Sequence, residues 1–330
     1  MVKIQPLTIY NLPLTIPPPF FNMTQSTPDS SRWLGWLLAV ASTAVFSLVT
    51  PLGKLALDGG FHPTAILSLR FGLAALLLAL AMARTAPKTL RSDRRGYLVA
   101  GFAGIINGLG AVGFFWSLRR LDASVATMLF ALSPLFVLGT LALRGEKFTY
   151  RQWIRLGLGL LGVYLLIGPG GQVDLVGVLL VLSGILGFTL EITLVQWYLP
   201  AYDTRTVTLY VLTGMWLSIS GLWLGQGLPW SAPGWQGWLV LLVISVVSTF
   251  FGWWAMFRSV QTIGSGQYAL LLPVETLLAI LWSFLFLGET LLPLQMVGGG
   301  LILLSAMLAV QRLGRIPRRR RWRIWLRNTR

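Results

Sequence analysis

Apolar runs about 20 residues long, separated by short polar turns, recur along the chain. A helix of that length crosses the hydrocarbon core of a bilayer. Ten such segments are read, at 34–57, 63–83, 97–118, 123–143, 152–168, 175–198, 206–224, 237–258, 267–287 and 294–310. None alternates apolar and polar residues, so the pattern predicts helices and not a membrane β-barrel. The connections hold turn formers, such as Asp58-Gly59-Gly60 and Pro169-Gly170-Gly171. Residues 1–31 carry the Pro17-Pro18-Pro19-Phe20-Phe21 run and lack the charged start and apolar core of a signal peptide, so they predict a disordered segment. Met23 is a candidate alternative start, leading through polar residues into the first span.

Two stretches repeat. The first runs from Ser133-Pro134 to Gly145-Glu146 and Gln152, then a Gly-rich span. The second runs from Leu272-Pro273 to Gly288-Glu289 and Gln295, then another Gly-rich span. They fall at the fourth–fifth and ninth–tenth spans. Five spans per half is odd, so the halves must have opposite orientation, and an inverted repeat suits alternating access. The predicted division is 32–170 and 171–311 as five-helix repeats, with a basic tail at 312–330. Gly157-Leu158-Gly159-Leu160-Leu161-Gly162 fits a dinucleotide-binding pattern, yet it lies inside a span and reads as helix packing.

Composition narrows the classes. Of 330 residues, 55% are hydrophobic and 11% charged, against about 25% charged in soluble domains; mean hydropathy is +0.73. That excludes a soluble enzyme. Cysteine is absent and His62 is the single histidine, which excludes thiolate chemistry and histidine metal clusters. No Walker motif is present. Neither a cofactor nor a metal is expected, and the chain is read as no enzyme.

Charge sets orientation. The net charge is +16, from 26 Lys+Arg. With the N-terminus inside, only Lys54, Arg119 and Arg120 fall outside, and Arg70 falls within the second span; every other Lys and Arg is cytoplasmic. The tail Arg318-Arg319-Arg320-Arg321-Trp322-Arg323-Ile324-Trp325-Leu326-Arg327 reads as an amphipathic anchor on anionic lipid headgroups rather than a nucleic-acid site.

These residues resemble the drug/metabolite transporter superfamily, in particular its EamA-type ten-helix members. The likeness rests on Phe46-Ser47 with Pro51 and Lys54, on Ser68-Leu69-Arg70-Phe71, and on Phe114-Phe115-Trp116-Ser117-Leu118 followed by Ala123-Ser124-Val125-Ala126. The paired Pro134…Gly145-Glu146 and Pro273…Gly288-Glu289 complete it, over residues 33–311. The resemblance implies inverted five-helix repeats around a central cavity and export of amino acids, other metabolites or toxic organic compounds. Glu191 and Glu275 depart from the common pattern, which puts apolar or small residues there.

Ionisable groups inside a bilayer usually face a cavity or a partner. Glu275 is expected near the middle of the ninth span, two residues after Pro273, where it could bind a substrate amine, carry a proton, or serve structure. Glu191, near the cytoplasmic end of the sixth span, either functions or snorkels. Arg70 could contact substrate or pair with a carboxylate. Asn107 could orient substrate or bind helices together. Trp116, Trp254 and Trp282 are expected to lie deep, and the first two are candidate cavity walls. Pro51, Pro134 and Pro273 are candidate helix breaks for gating. Glu146 and Glu289 sit at span ends and read as loop anchors.

The expectation is an all-α protein of ten transmembrane helices in the bacterial inner membrane, with both termini cytoplasmic. Its partners would be a small-molecule substrate and lipid, with no nucleic acid. The expected function is alternating-access export of amino acids or related metabolites. Efflux of hydrophobic or cationic toxic compounds is the alternative. A non-transporting scaffold or a lipid-modifying membrane enzyme is the alternative of another class.

Overall fold

The first apolar run forms two helices, α1 (Asp29–Ser47) and α2 (Val49–Asp58), divided by a turn at Leu48. Pro51 has no N–H to offer the carbonyl four residues back, and the break falls within that turn. The computed structural model describes residues 29–90, 92–143, 150–167, 173–199, 202–230, 233–263, 268 and 271–313. The proline-rich start, Met23, the Glu146 loop, Pro169-Gly170-Gly171 and the basic tail lie outside the described residues. Helix α1 already begins at Asp29, inside the stretch expected to lack structure.

Next come α3 (Pro63–Thr85), opened by Pro63 in its first turn, a 3-10 turn at Pro87–Leu90, and α4 (Arg94–Ser117). The fourth run splits into α5 (Ala123–Phe130) and α6 (Ser133–Leu143), with Pro134 just past the break. Three single helices follow: α7 (Tyr150–Ile167), α8 (Leu175–Tyr198) and α9 (Thr204–Gly225). The eighth run is α10 (Trp235–Leu242), a π-helical stretch Val243–Phe251, and α11 (Gly252–Ile263). Helix α12 (Leu272–Leu287) has Pro273 in its first turn, and α13 (Pro293–Leu313) closes the fold. All three candidate prolines thus follow a break or open a helix.

Local chemistry sets several starts. Asp93 accepts from the Gly96 N–H at 3.0 Å and caps α4. Asp174 and Asp203 cap α8 and α9 through the N–H groups of Val176 and Arg205, each at 2.8 Å. Asp122 precedes α5 and makes no such bond.

Among the described residues no strand occurs. Six segments among the described residues are long and apolar enough to cross a membrane: Trp33–Asp58, Pro63–Thr85, Arg94–Ser117, Leu175–Val195, Thr204–Gly225 and Trp235–Met256. The other four predicted runs appear as shorter apolar helices, Ala123–Val137, Trp153–Ile167, Leu272–Leu287 and Pro293–Leu308. Leu76, Phe102, Leu160, Leu179, Leu217 and Phe284 point outward and are exposed. Such a girdle suits lipid, and the chain is an integral membrane protein.

The pairings recur with the halves exchanged. Helix α4 packs on α8 as α11 packs on α1, and α6 packs on α8 as α12 packs on α1. Helices α3 and α9, α5 and α12, and α7 and α13 pair with their own counterparts. The contact between α7 and α13 needs glycine. A Cβ on Gly162 would lie 2.7 Å from the Gly298 carbonyl oxygen, and one on Gly298 would lie 2.6 Å from that of Gly162. The dinucleotide-like motif is therefore a packing surface, apart from Gly157, which faces open space.

Alternation of the spans gives the bundle two faces. The terminal face holds the start of α1 and the end of α13. The opposite face holds the turns near residues 58–63, 118–123, 226–235 and 288–292. Lys54, Arg119 and Arg120 fall on the opposite face together with Asp122, Asp174 and Glu289, and the ion pairs Lys54–Asp122, Lys54–Glu289 and Arg120–Asp174 form there.

Candidate functional site

One face of α3 carries Arg70, Ala74, Leu78, Ala81 and Thr85 at three- and four-residue spacing, so they form a stripe along the helix. Below Arg70 this stripe lines a crevice of about 380 Å³, closed on its other sides by α9 and the π-helical stretch with α11. Leu212 and Thr208 come from α9; Thr249, Phe250, Phe251, Trp253 and Trp254 come from the eighth run. Arg205 and Arg258 line it at the terminal face. Trp254 is among these lining residues and is half exposed.

The π turn aims Thr249. Its hydroxyl donates to the Ile244 carbonyl, five residues back, at 2.9 Å. The same oxygen accepts from Arg70 Nε at 2.8 Å. An extra residue per turn crowds out the regular ladder and places this hydroxyl at the crevice wall. Arg70 is only 6% exposed, and its guanidinium lies 5.1 Å from the Phe71 ring centre. Among the described residues no carboxylate pairs with it.

Glu191 is buried in α8, and Asn107 Nδ2 on α4 donates to its carboxylate. The same nitrogen lies 3.8 Å from Met215 Sδ on α9. Glu191 therefore does not snorkel; it joins three helices through Asn107. An Arg70 pairing with either intramembrane glutamate is absent.

Glu275 stands apart from both groups. It sits in the first turn of α12, half-buried, rather than at mid-span, because Pro273 starts the helix there. No hydrogen bond or ion pair reaches it among the described residues. It lies within electrostatic reach of Tyr268, whose hydroxyl accepts from Ser42 at 3.2 Å.

Trp116 also departs from expectation. It lies one residue before the end of α4 at the opposite face, 5.4 Å from His62 edge to face and 5.4 Å from the Arg119 guanidinium. Burial, with Arg119 second, holds His62 below its ordinary range. Trp282 is partly buried, and its Nε1 donates to Ser47 Oγ at 3.0 Å.

Glu289 does what Asp122 does not. Its carboxylate accepts from the N–H groups of Ala123 at 2.6 Å and Ser124 at 2.9 Å, and from Ser124 Oγ at 2.7 Å. It caps α5 from the other repeat and lies 3.4 Å from Lys54 Nζ. Lys54 also donates to the Leu121 carbonyl at 2.8 Å. On the exposed rims, the Arg120 hydrogen bond holds Asp174 below the usual carboxylate range, and the Tyr202 hydroxyl does the same for Asp93.

Sequence reasoning missed Thr249 and the π turn. The available signal was Ser245, Ser248 and Thr249 together inside an apolar run. It also had no means to join Glu289 to Ala123 and Ser124.

Two interlocked helical repeats, latched on one face and creviced on the other, define a membrane transporter. The chain belongs to the EamA-like transporter family, which matches residues 33–168 and 175–311. A protein of Archaeoglobus fulgidus bearing the name "uncharacterized transporter" is 24% identical over 207 residues, 62% of this chain and 73% of that one. A crystal structure of a further protein matches with TM-score 0.57 and 19% identity, over 87% of this chain and 99% of the other, which speaks for the fold.

Proposed function

We propose that this transporter exports small organic molecules, amino acids or related metabolites, by rocking its two repeats about their shared axis. The observation that carries the reading is the asymmetry between the faces. The opposite face is latched by Glu289 and Lys54, while the terminal face opens into the crevice beside α3. With the positive termini inside, that crevice receives solute from the cytoplasm. The repeats are residues 32–170 and 171–311, and the membrane is the bacterial inner membrane. The exchanged pairings supply two equivalent ways to close the bundle, as alternating access requires. The aromatic wall also favours a second reading, efflux of hydrophobic compounds.

The test compares cells that overexpress the protein with cells that lack it. After loading with mixed amino acids and aromatic metabolites, the overexpressing cells are expected to show lower internal and higher external pools of a defined subset. Identical pools across all solutes, with the protein present in the membrane, would remove export from consideration.

A further inference from the structure

We infer that the crevice takes an organic anion with an apolar or aromatic body and no ammonium group, its acidic group reaching Arg70. The proposal rests on the transport reading above and narrows its solutes to metabolites without an ammonium group, setting amino acids aside for that crevice.

Three observations carry it. First, Arg70 lies one helical turn beyond Ala74, the deepest α3 residue of the lining, on the same stripe. It is buried, yet only Nε is hydrogen-bonded, to Thr249, a lining residue. A guanidinium has five N–H donors. The four on its two amino groups have no hydrogen-bond partner among the described residues, and neither nitrogen counts among the fully buried orphan atoms. A cation held inside a bilayer without a carboxylate calls for an anion.

Second, the lining holds two further cations and no acid. Arg205 and Arg258 stand at the terminal face, and the wall between them and Thr249 is mostly apolar and aromatic, with Thr85 and Thr208 as its neutral polar members. An anion would be drawn in at the mouth and received at the floor. An amino acid would bring an ammonium group, for which the wall offers no carboxylate. The two intramembrane glutamates are not among the lining residues: Glu191 is engaged by Asn107, and Glu275 stands near Tyr268.

Third, size agrees. About 380 Å³ lies at the small end of ligand pockets, which run from roughly 300 to 1,000 Å³. That suits one aromatic ring with a short acidic arm, and the planar guanidinium matches a carboxylate in two-point geometry.

The test uses the full chain in nanodiscs of neutral lipid, with 3-phenylpropanoate, its neutral amide 3-phenylpropanamide, and phenylalanine as probes. The acid is expected to bind at least about tenfold tighter than the amide or phenylalanine, the scale of one charge-assisted hydrogen-bonded pair. Arg70→Gln should bring acid and amide within about twofold. Because Arg70 is buried, Arg258→Gln is the second variant. It should weaken the acid alone and reduce the salt dependence of its binding. Equal binding of acid and amide, a phenylalanine affinity matching the acid, or no binding of the acid would overturn the proposal. So would an acid preference that survives both substitutions. Acid binding without flux in proteoliposomes would leave the site standing and remove the transport reading. Flux of other solutes with equal acid and amide binding would do the reverse.

Discussion

Asn107 and Glu191 show what one hydrogen bond does where water is absent. Each is buried, one on α4 and one on α8, and the amide satisfies a carboxyl that has no cation near it. Removing one partner leaves the other desolvated, whereas removing both restores an apolar contact. Asn107→Ala is therefore expected to destabilise the protein by about 1–3 kcal/mol. The double replacement Asn107→Leu with Glu191→Leu should recover most of that loss. Thermal denaturation in detergent reads both, and simple additivity of the two single changes would contradict the account. The residue types were legible in the sequence, since a polar amide and a carboxylate in apolar runs stand out. Their meeting was not, because it joins positions far apart in the chain. Glu275 teaches the complementary point: its place depends on where Pro273 starts the helix, which a hydropathy window cannot resolve.

At the level of elements, glycine and proline wrote the clearest instructions. The breaks at Leu48 and at Ala131–Leu132, and the helix start at Leu272, follow from Pro51, Pro134 and Pro273. The glycines of α7 and α13 let two backbones touch. Gly162→Val would drive a side chain into the Gly298 backbone, and overpacking of this kind costs about 1–3 kcal/mol. Gly157→Val, on the same helix and facing open space, should leave the melting temperature close to that of the parent. Equal effects at both positions would show that the contact does not bear on stability. The π stretch had no comparable signature. Val-Ile-Ser-Val-Val-Ser-Thr-Phe-Phe reads as an ordinary apolar run, and only the hydroxyls hinted at a helix with something to satisfy.

For the whole molecule, the decisive link crosses between repeats. Glu289 belongs to the second repeat, while Lys54, Ala123 and Ser124 belong to the first. Hydrogen bonds to a charged group contribute about 1.5–3 kcal/mol each, and every 1.4 kcal/mol is about tenfold in an opening equilibrium. Glu289→Gln removes the charge, one acceptor and the attraction to Lys54. The chain has no cysteine, so a single Ala123→Cys variant reports on the latch without background. Labelling of that thiol by a membrane-impermeant maleimide should quicken by about tenfold or more when Glu289→Gln is added. An unchanged rate would mean that the contact does not hold this face shut. The overall plan, ten apolar rods in two related sets, was legible from hydropathy and the paired Gly-Glu motifs. The latch was not, because a cap supplied from a distant repeat leaves no local pattern.

The π turn has one more consequence. A span built this way contains more residues than an α-ladder of the same height requires. Deleting one residue within Val243–Phe251 would let the backbone return toward regular pitch while the residues after it keep close to their present phase, because the wide turn already takes up the extra residue. Trp253, Trp254 and Arg258 would then stay on the crevice, while the bond to the carbonyl five residues back that aims Thr249 at Arg70 would be lost. The seat of Thr249 is thus specified by a count of residues as much as by their identities, and a frame-preserving deletion there is a different event from any substitution.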